Sequence, residues 1–387
     1  MNFLWEQDLV DFRHEVRDFI KQNWTGDNGR GEGGSLWASP KHREFIRKMA
    51  TRGWIGIAWP PEYGGAGKPQ IYQWILMEEL SHAGAPHTGS GVGTIGQTLM
   101  RHGTDEQKQD FLPKIVAGEV DFALGYSEPN AGTDLASLEV RADRDGDDYV
   151  INGTKIWISA ARYADYIWLA TRTDQNAPKH KGISVFLVPL KRPDIQITPI
   201  PKLADIENNM VYFDNVRVPR TALVGEENRG WYYLAEALDY ERIHLFPFGP
   251  VQKGLDTLLE ATRKAPEALK RSPYWKVLRH RVAQMAIELS VLYKHTLRVL
   301  DIETRDLVAN VEASENKLFG TELQRKMAVT ASEVLNLYSQ VRNDPKHDGV
   351  TADVSKSYEG TLISLVAGGS NEINRSVIAT RGLGLPR

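Results

Sequence analysis

Apolar residues in the first third of the chain recur at helical intervals. Leu9, Phe12, Val16 and Phe19 alternate with charged residues, a spacing that predicts one amphipathic helix over residues 5–24. A polar, Gly-rich stretch at 25–35 predicts a loop. The helical period resumes in four further segments, at about 40–52, 69–83, 92–102 and 105–117. The N-terminal part is therefore expected to be helical.

The spacing of apolar residues changes at about residue 122. Between residues 138 and 218, apolar and polar residues alternate, and β-favouring clusters predict strands at 167–170, 183–189, 210–213 and 216–219. Asp145-Gly146-Asp147 predicts a turn, and Asn152-Gly153, flanked by β-favouring residues, predicts the turn of a hairpin. These features predict a small antiparallel β domain.

After Gly230 the helical period returns and continues to the C-terminus. Apolar residues from Val277 to Leu297 and from Leu323 to Leu337 predict two long helices, and a polar loop is predicted at 343–349. The predicted fold class is α+β and mainly α. It comprises an N-terminal helical domain at 1–122, a central antiparallel β-barrel or sandwich at 123–226, and a C-terminal helical bundle at 227–387.

Composition narrows the class of protein. The 387 residues include no cysteine, which excludes disulfides, thiolate metal sites and a cysteine nucleophile. A net charge of −3 gives no general attraction to nucleic acid or to an anionic membrane. The acidic start is not a signal peptide, no apolar run approaches the ~18 residues that cross a bilayer, and the histidines lack metal-ligand spacing. We expect a cytoplasmic enzyme with no metal, nucleic-acid or membrane partner.

Two neighbouring segments carry the candidate chemistry. Gly and Pro interrupt an apolar run in 124–134, so this loop presents backbone N–H groups and the hydroxyls of Ser127 and Thr133. Trp157 and Ser159 lie two positions apart, which predicts that both face the same side of a strand. On the pattern alone, a surface hairpin with a buried tryptophan is the simpler interpretation.

The order and spacing of these residues resemble the flavin-binding signature of the acyl-CoA dehydrogenase family, T-E-P-x-A-G-S-D followed by N-G-x-K-x-W-I-[ST]. Shorter matches at 60–67, 103–108 and 213–225 extend the resemblance over nearly the whole chain. The resemblance implies an FAD enzyme whose flavin is lined by Leu124, Tyr126, Ser127, Gly132, Thr133, Trp157 and Ser159. It also implies that Ser370 and Glu372 bind the cofactor, and that Arg242 and Thr133 bind the acyl-CoA substrate.

The family oxidises an acyl-CoA thioester to the 2,3-enoyl thioester, and a carboxylate removes the α-proton. The position of this base in many members aligns with Gly368 here. A minority of the family places the Glu on a helix just before an Arg, and Glu241-Arg242 aligns with that position. The resemblance therefore implies Glu241 as the catalytic base. The backbone N–H of Gly368 could still donate to the thioester oxygen.

Two other carboxylates compete for this role. Tyr358-Glu359-Gly360-Thr361 spells the family's Y-E-G-T motif, but it lies upstream, inside a predicted helical run. We interpret this match as coincidence. Glu372 occupies a different position of the family pattern, after the turn, and is not a substitute for the base.

Two motifs that reach the FAD of a neighbouring subunit in the family are absent: no F-G occurs in 270–276, and no G-G-x-G in 330–350. Together with the A-G-G-S-N-E run at 367–372, this pattern resembles one subunit of the α2β2 acyl-CoA dehydrogenases of bacterial steroid side-chain degradation. The resemblance implies a homologous partner subunit, a bulky acyl group and an electron-transfer flavoprotein as acceptor. Two alternatives remain, a flavin oxidase or monooxygenase on the same fold, and a non-catalytic subunit that completes a partner's FAD site.

Gly91–Gly96 spells G-x-G-x-x-G, the motif of dinucleotide-binding folds. Such a site requires a preceding strand, and here a breaker-rich loop at 84–90 precedes the motif. The motif therefore predicts close helix packing by small residues rather than dinucleotide binding.

Overall fold

The computed structural model describes residues 5–25, 39–87, 90–245, 248–305, 307–341 and 350–386, without the side chains of 238–245 and 350–353. The loop predicted at 343–349 and all but the first residue of the loop predicted at 25–35 lie outside the described residues. The chain divides into two compact units. The first comprises residues 1–76 and 85–241, and the second comprises 77–84 and 242–387.

The N-terminal part is helical, as the period of its apolar residues predicts. The helices are α1 Gln7–Asn23, α2 Pro40–Ala50, α3 Gln70–Ala83, α4 Gln97–His102 and α5 Asp105–Val116. Phe12, Val16 and Phe19 are buried along one face of α1. Helix α5 begins with a capping box, in which the side chains of Thr104 and Gln107 each accept from the backbone N–H of the other residue.

The G-x-G-x-x-G segment Gly91–Gly96 is a turn of π-helix that continues into α4, and the described residues before it contain helices and loops but no strand. A Cβ atom at Gly96 would lie 2.2 Å from the ring of Trp59, which is buried. A Cβ at Gly91 would meet its nearest neighbour, Phe122, at an ordinary 3.6 Å. Position 96 therefore requires glycine because an aromatic ring packs against its backbone. This confirms the interpretation that small residues of the motif allow close packing.

Within the described residues, seven strands form one sheet in the first unit. They are β1 Phe122–Gly125, β2 Arg141–Asp145, β3 Asp148–Ile158, β4 Tyr166–Arg172, β5 Ile183–Pro189, β6 Ile195–Pro201 and β7 Glu207–Pro219. Their order is β1-β4-β2-β3-β7-β6, and β5 pairs with β4. Most pairs are antiparallel, whereas β1 and β2 run parallel to β4. Side chains that alternate along β3 and β7, such as Tyr149, Ile151, Val216 and Val218, form the core of the sheet.

The hairpin between β2 and β3 turns at Gly146, not at Asn152-Gly153. Gly146 has a φ of 65°, a left-handed conformation that glycine adopts without strain. The predicted turn at Asn152-Gly153 is wrong, because both residues lie inside β3, where a register shift interrupts its pairing with β7. There, the backbone N–H of Asn215 donates to the Asn152 side chain at 2.8 Å.

Helices return after the sheet and continue to the end of the described chain. They are α6 Gly230–Leu245, α7 Phe248–Arg263, α8 Glu267–Lys270, α9 Tyr274–Thr304, α10 Asn310–Leu335, α11 Val350–Ser364 and α12 Asn371–Val377. Helices α9 and α10 confirm the two predicted long helices. Together with α7 they supply most of the apolar core of the second unit.

This architecture confirms the predicted fold class, α+β and mainly α, with helices before and after a central sheet. The boundaries at 122/123 and 226/227 stay predictions. Among the described residues, no helix combines the length and the apolar character that crossing a bilayer requires.

We expect Gly96→Ala to lower the free energy of unfolding by about 1–3 kcal/mol, because the new methyl group overpacks the buried Trp59 ring. Gly91→Ala is the matched control. It has room for a methyl group and should be neutral, or stabilising by up to about 1 kcal/mol. Thermal unfolding of the two variants measures the difference, and equal midpoints would contradict the packing role of Gly96.

Candidate functional site

The loop that follows β1 carries the first set of predicted site residues. β1 pairs in parallel with β4, and Leu124 lies opposite Trp168. Beyond Gly125 the chain makes a tight turn in which the backbone N–H of Glu128 donates to the Ala131 carbonyl at 2.8 Å, and that of Ala131 donates back at 3.2 Å. The turn leaves Gly132 and Thr133 exposed at the end of the loop.

A buried ion pair anchors this loop to β3. The Nζ atom of Lys155 lies 2.7 Å from Oε1 of Glu128, and both side chains are withdrawn from water, with exposures of 0% and 5%. The same Nζ donates to the Tyr126 carbonyl at 3.0 Å. The Glu128 carboxylate also accepts from the backbone N–H groups of Glu139, at 2.6 Å, and Val140, at 3.0 Å. The pair therefore fixes the loop against β3 and against the start of β2.

The charge on this lysine depends on its burial. Burial lowers the pKa of Lys155 to about 8, although the Glu128 carboxylate acts in the opposite direction. A pKa of about 8 keeps Lys155 mainly protonated at neutral pH. Beyond the loop, Nη2 of Arg172 donates to the carbonyl of Ala136 at 2.6 Å, which helps to fix this part of the chain.

The end of β3 carries the second set of predicted site residues. The backbone N–H of Ile156 donates to the Ser127 carbonyl at 2.9 Å, which places this strand end beside the loop. Trp157 has a φ of 63°, in the left-handed region that bulky residues rarely adopt. A register shift accompanies it between Lys155 and Ile158. Regular strand alternation therefore does not orient Trp157 and Ser159, because β3 is irregular here and ends at Ile158.

The left-handed backbone leaves Trp157 exposed rather than in the core. Its side chain is 54% exposed, so the buried tryptophan of the simpler interpretation is not found here. The hydroxyls of Thr133 and Ser159 belong to exposed residues, and a Cβ at Gly132 would meet no atom within 4 Å. An exposed indole with small hydroxyl residues and an open glycine fits a planar aromatic cofactor. The residues present therefore fit the flavin of FAD.

Three further predicted site residues, Gly368, Ser370 and Glu372, lie near the C-terminus, in the second unit. Gly368 and Gly369, between α11 and α12, have φ values of 63° and 84°, which favour glycine. The Ser370 hydroxyl accepts from the backbone N–H of Ile373 at 3.3 Å and caps α12. Glu372 lies in the first turn of α12, and hydrogen bonds from its own backbone N–H and from Ser370 lower its pKa. The roles of Gly368, Ser370 and Glu372 stay predictions.

The predicted base lies on helix α6. Glu241 and Arg242 fall within Gly230–Leu245, but their side chains lie outside the described residues. Glu359, the competing carboxylate, lies within α11, in agreement with the predicted helical run around it.

Three residues that organise this site were not predicted from the sequence: Glu128, Lys155 and Asn208. Glu128 and Lys155 are both part of the matched signature, but the pattern does not indicate that they pair in the core. Asn208, on β7, is buried and donates to the Trp157 carbonyl and to the Ser159 hydroxyl. The signal for Asn208 is a polar Glu207-Asn208-Asn209 run at the start of a β-favouring strand.

We expect Lys155→Met to lower the free energy of unfolding by about 3–5 kcal/mol, because it leaves the Glu128 carboxylate buried without its cation. Adding Glu128→Gln should recover part of this loss by removing the charge. Lys179→Met is the matched control, since Lys179 pairs with Asp134 at the surface and should cost at most about 1 kcal/mol. Thermal unfolding compares the variants. A loss at Lys155 no larger than at Lys179 would contradict the anchoring role.

Comparison with known proteins identifies the family. Three acyl-CoA dehydrogenase domain models match the chain, the N-terminal domain at residues 6–119, the middle domain at 123–216 and the C-terminal domain at 228–383. The chain is 38% identical to acyl-CoA dehydrogenase FadE26 of Mycobacterium tuberculosis over 388 residues, which covers 97% of each protein.

Solved structures agree with this match over the full length. The Tcur3481-Tcur3483 steroid ACAD superposes with a TM-score of 0.91 at 34% identity. The ChsE4-ChsE5 complex from Mycobacterium tuberculosis superposes with a TM-score of 0.89 at 35% identity. In both comparisons the alignment covers 100% of each chain. The chain belongs to the acyl-CoA dehydrogenase family and is an FAD-dependent acyl-CoA dehydrogenase.

Proposed function

We propose that this chain is the flavin-binding, catalytic subunit of a heteromeric acyl-CoA dehydrogenase that acts on bulky, steroid side-chain acyl-CoA thioesters. The observation that carries the proposal is the Trp157 platform, the exposed indole of Trp157 beside the 124–134 loop. Hydrogen bonds from Lys155 anchor this loop. A subunit that only completed a partner's site would not need a flavin-binding surface of its own.

FAD, when bound, accepts the hydride that leaves Cβ of the substrate. The chain's own residues bind and orient it. Trp157 offers an apolar face, the hydroxyls of Ser127, Thr133 and Ser159 offer hydrogen bonds, and Gly132 leaves the approach unobstructed. Leu124 and Tyr126 complete the residues that we propose line the flavin. Thr133 and Arg242 are assigned to the substrate, and Ser370 and Glu372 to the cofactor, by resemblance to the family.

Glu241 is the proposed base that removes the α-proton. Its position on α6, directly before Arg242, matches the minority pattern of the family, while the common base position is occupied by Gly368. The backbone N–H of Gly368 is assigned to the thioester oxygen, where a donor stabilises the developing negative charge without a side chain.

A bulky acyl group is supported by two observations. Gly368 and Gly369 place no side chains at the turn before α12, and a Cβ at Gly369 would meet nothing nearer than 3.7 Å. One similar structure is described as a steroid ACAD and shares 34% identity with the chain over its whole length.

A homologous partner subunit is supported by the missing F-G and G-G-x-G motifs, which in the family reach the neighbour's FAD. Two similar structures carry the names of two different chains, and one is described as a complex. We assign the electron-transfer flavoprotein as acceptor by resemblance. The competing oxidase or monooxygenase would instead react with oxygen after substrate reduction.

We expect the chain, co-expressed with a homologous partner subunit from the same organism, to form a yellow α2β2 complex. Among acyl-CoA thioesters of increasing bulk, steroid side-chain thioesters should bleach the flavin fastest under anaerobic conditions. Mass measurement with flavin quantitation tests the assembly, and reoxidation by oxygen compared with the electron-transfer flavoprotein tests the acceptor. A homotetramer with one tightly bound FAD per chain would contradict the partner proposal, and a preference for short straight chains would contradict the substrate.

We expect Glu241→Gln to slow flavin reduction by substrate about 10²–10⁴-fold or more, because it keeps the shape of the side chain but removes its basicity. FAD binding and folding should remain unchanged. Glu359→Gln is the matched control and should reduce the flavin near the rate of the unmodified protein. Stopped-flow absorbance measures both rates. If Glu359→Gln is slow and Glu241→Gln is not, the base is Glu359 of the Tyr358-Glu359 match.

A further inference from the structure

We propose that Asn208 is a positioning residue, which holds the end of β3 in its strained conformation and orients the Ser159 hydroxyl as a hydrogen-bond donor toward the flavin. This inference rests on the proposed role of Trp157 and Ser159 as flavin contacts. It adds a residue of β7, distant in sequence from both matched signature segments, to the determinants of that site.

The contacts of Asn208 concentrate on the two predicted flavin residues of the strand end. Its side-chain Nδ2 donates one hydrogen bond to the Trp157 carbonyl and a second to Oγ of Ser159, at 3.2 Å. Asn208 is 4% exposed, so water does not compete for these bonds. The assignment of Nδ2 to this side is fixed by chemistry, because the Trp157 carbonyl can only accept.

The backbone that Asn208 holds is strained. Trp157 and Ala160 have φ values of 63° and 61°, and neither is a glycine. Such residues persist only where the surroundings impose the conformation, and they concentrate at ligand sites. The bond from Asn208 to the Trp157 carbonyl acts directly on the strained residue. It therefore helps to maintain the conformation that exposes the indole.

The second bond decides the direction of the Ser159 hydroxyl. A serine hydroxyl has one proton to donate and two lone pairs that accept. Because Nδ2 donates to Oγ, the Ser159 proton is not used toward Asn208 and remains available on the exposed side. Ser159 is thereby set as a donor for an acceptor atom of the bound flavin.

The other end of the same amide supports a positioning role. Oδ1 of Asn208 is buried and has no hydrogen-bond partner among the described residues. A buried polar residue that serves stability alone is normally satisfied at both ends. Asn208 instead uses both donors on Trp157 and Ser159 and leaves its acceptor unsatisfied.

Asn209 provides a matched control. It is the next residue of β7, is also buried, and its Oδ1 accepts from the backbone N–H of Arg162 at 3.2 Å. Its side chain donates to Glu207 and to the Asn208 carbonyl. Within the described part of the chain, the Asn209 side chain makes no hydrogen bond to Trp157 or Ser159, so Asn209→Ala removes a buried asparagine without removing the proposed function.

The first test compares Asn208→Ala and Asn209→Ala in the full-length protein. Both should lower the midpoint of thermal unfolding. Only Asn208→Ala should weaken FAD binding, by about 3- to 10-fold for each lost hydrogen bond, and change the visible spectrum of the bound flavin. Hydrogen exchange in the FAD-free protein should accelerate at residues 157–160 in Asn208→Ala.

The second test reverses the direction of the Ser159 bond. In Asn208→Asp the carboxylate can only accept, so it draws the Ser159 proton inward, away from the flavin. Asn208→Asp should therefore weaken FAD binding more than Asn208→Ala does. In a Ser159→Ala background this difference should shrink to the part that comes from repulsion between the new carboxylate and the Trp157 carbonyl. A difference of unchanged size there would overturn the donor role of Ser159.

The outcomes separate this inference from the proposed site. If Trp157→Ala and Ser159→Ala leave FAD affinity and spectrum unchanged, the flavin does not bind on this platform and the proposed site fails. If those variants weaken FAD binding while Asn208→Ala and Asn208→Asp behave like Asn209→Ala, only the role of Asn208 is overturned. Should Asn208→Ala fail to fold, the Asn208→Asp comparison with and without Ser159 decides.

Discussion

The ion pair between Glu128 and Lys155 is the interaction on which the candidate site depends. Both charges are buried, and desolvation alone would make either one costly. The cost is offset because both charged groups make further charge-assisted hydrogen bonds. Lys155 donates to the Tyr126 carbonyl, and the Glu128 carboxylate accepts from the backbone N–H groups of Glu139 and Val140, just before β2. The ion pair thereby joins the loop to β3 through Lys155 and to the chain that enters β2 through Glu128.

This arrangement allows the site to be exposed and still well ordered. Loops that carry binding residues need a rigid scaffold, and here the scaffold is the sheet of the first unit. The loop directly follows β1, and the parallel pairing of β1 with β4 fixes its position. The strand end is fixed by β7 through Asn208. An indole and several hydroxyls can face solvent because buried contacts with the sheet fix the backbone segments that carry them.

The irregularities of β3 follow from the same requirement. A regular strand would alternate its side chains between the two faces of the sheet. The register shifts at Ile151–Gly153 and Lys155–Ile158 and the left-handed Trp157 break this alternation. Lys155 is consequently buried while Trp157, two residues later, is 54% exposed. Irregular strand ends of this kind re-aim side chains, and they cluster at functional sites.

The sequence by itself determined the helical segments, strands β4, β5 and β7, and the family, because these depend on local periodicity and on motifs that are contiguous in the chain. It predicted α9 and α10 from apolar spacing, and the flavin loop from residues 124–134. Only the tertiary structure decided that Asn152-Gly153 lies within a strand. An Asn-Gly pair favours a turn locally, whereas here Asn152 pairs with Arg141 of β2 and Gly153 with Phe213 of β7. The tertiary structure also decided the roles of Lys155 and Asn208. Their contacts join segments 27 and about 50 residues apart, and no local pattern encodes such a contact.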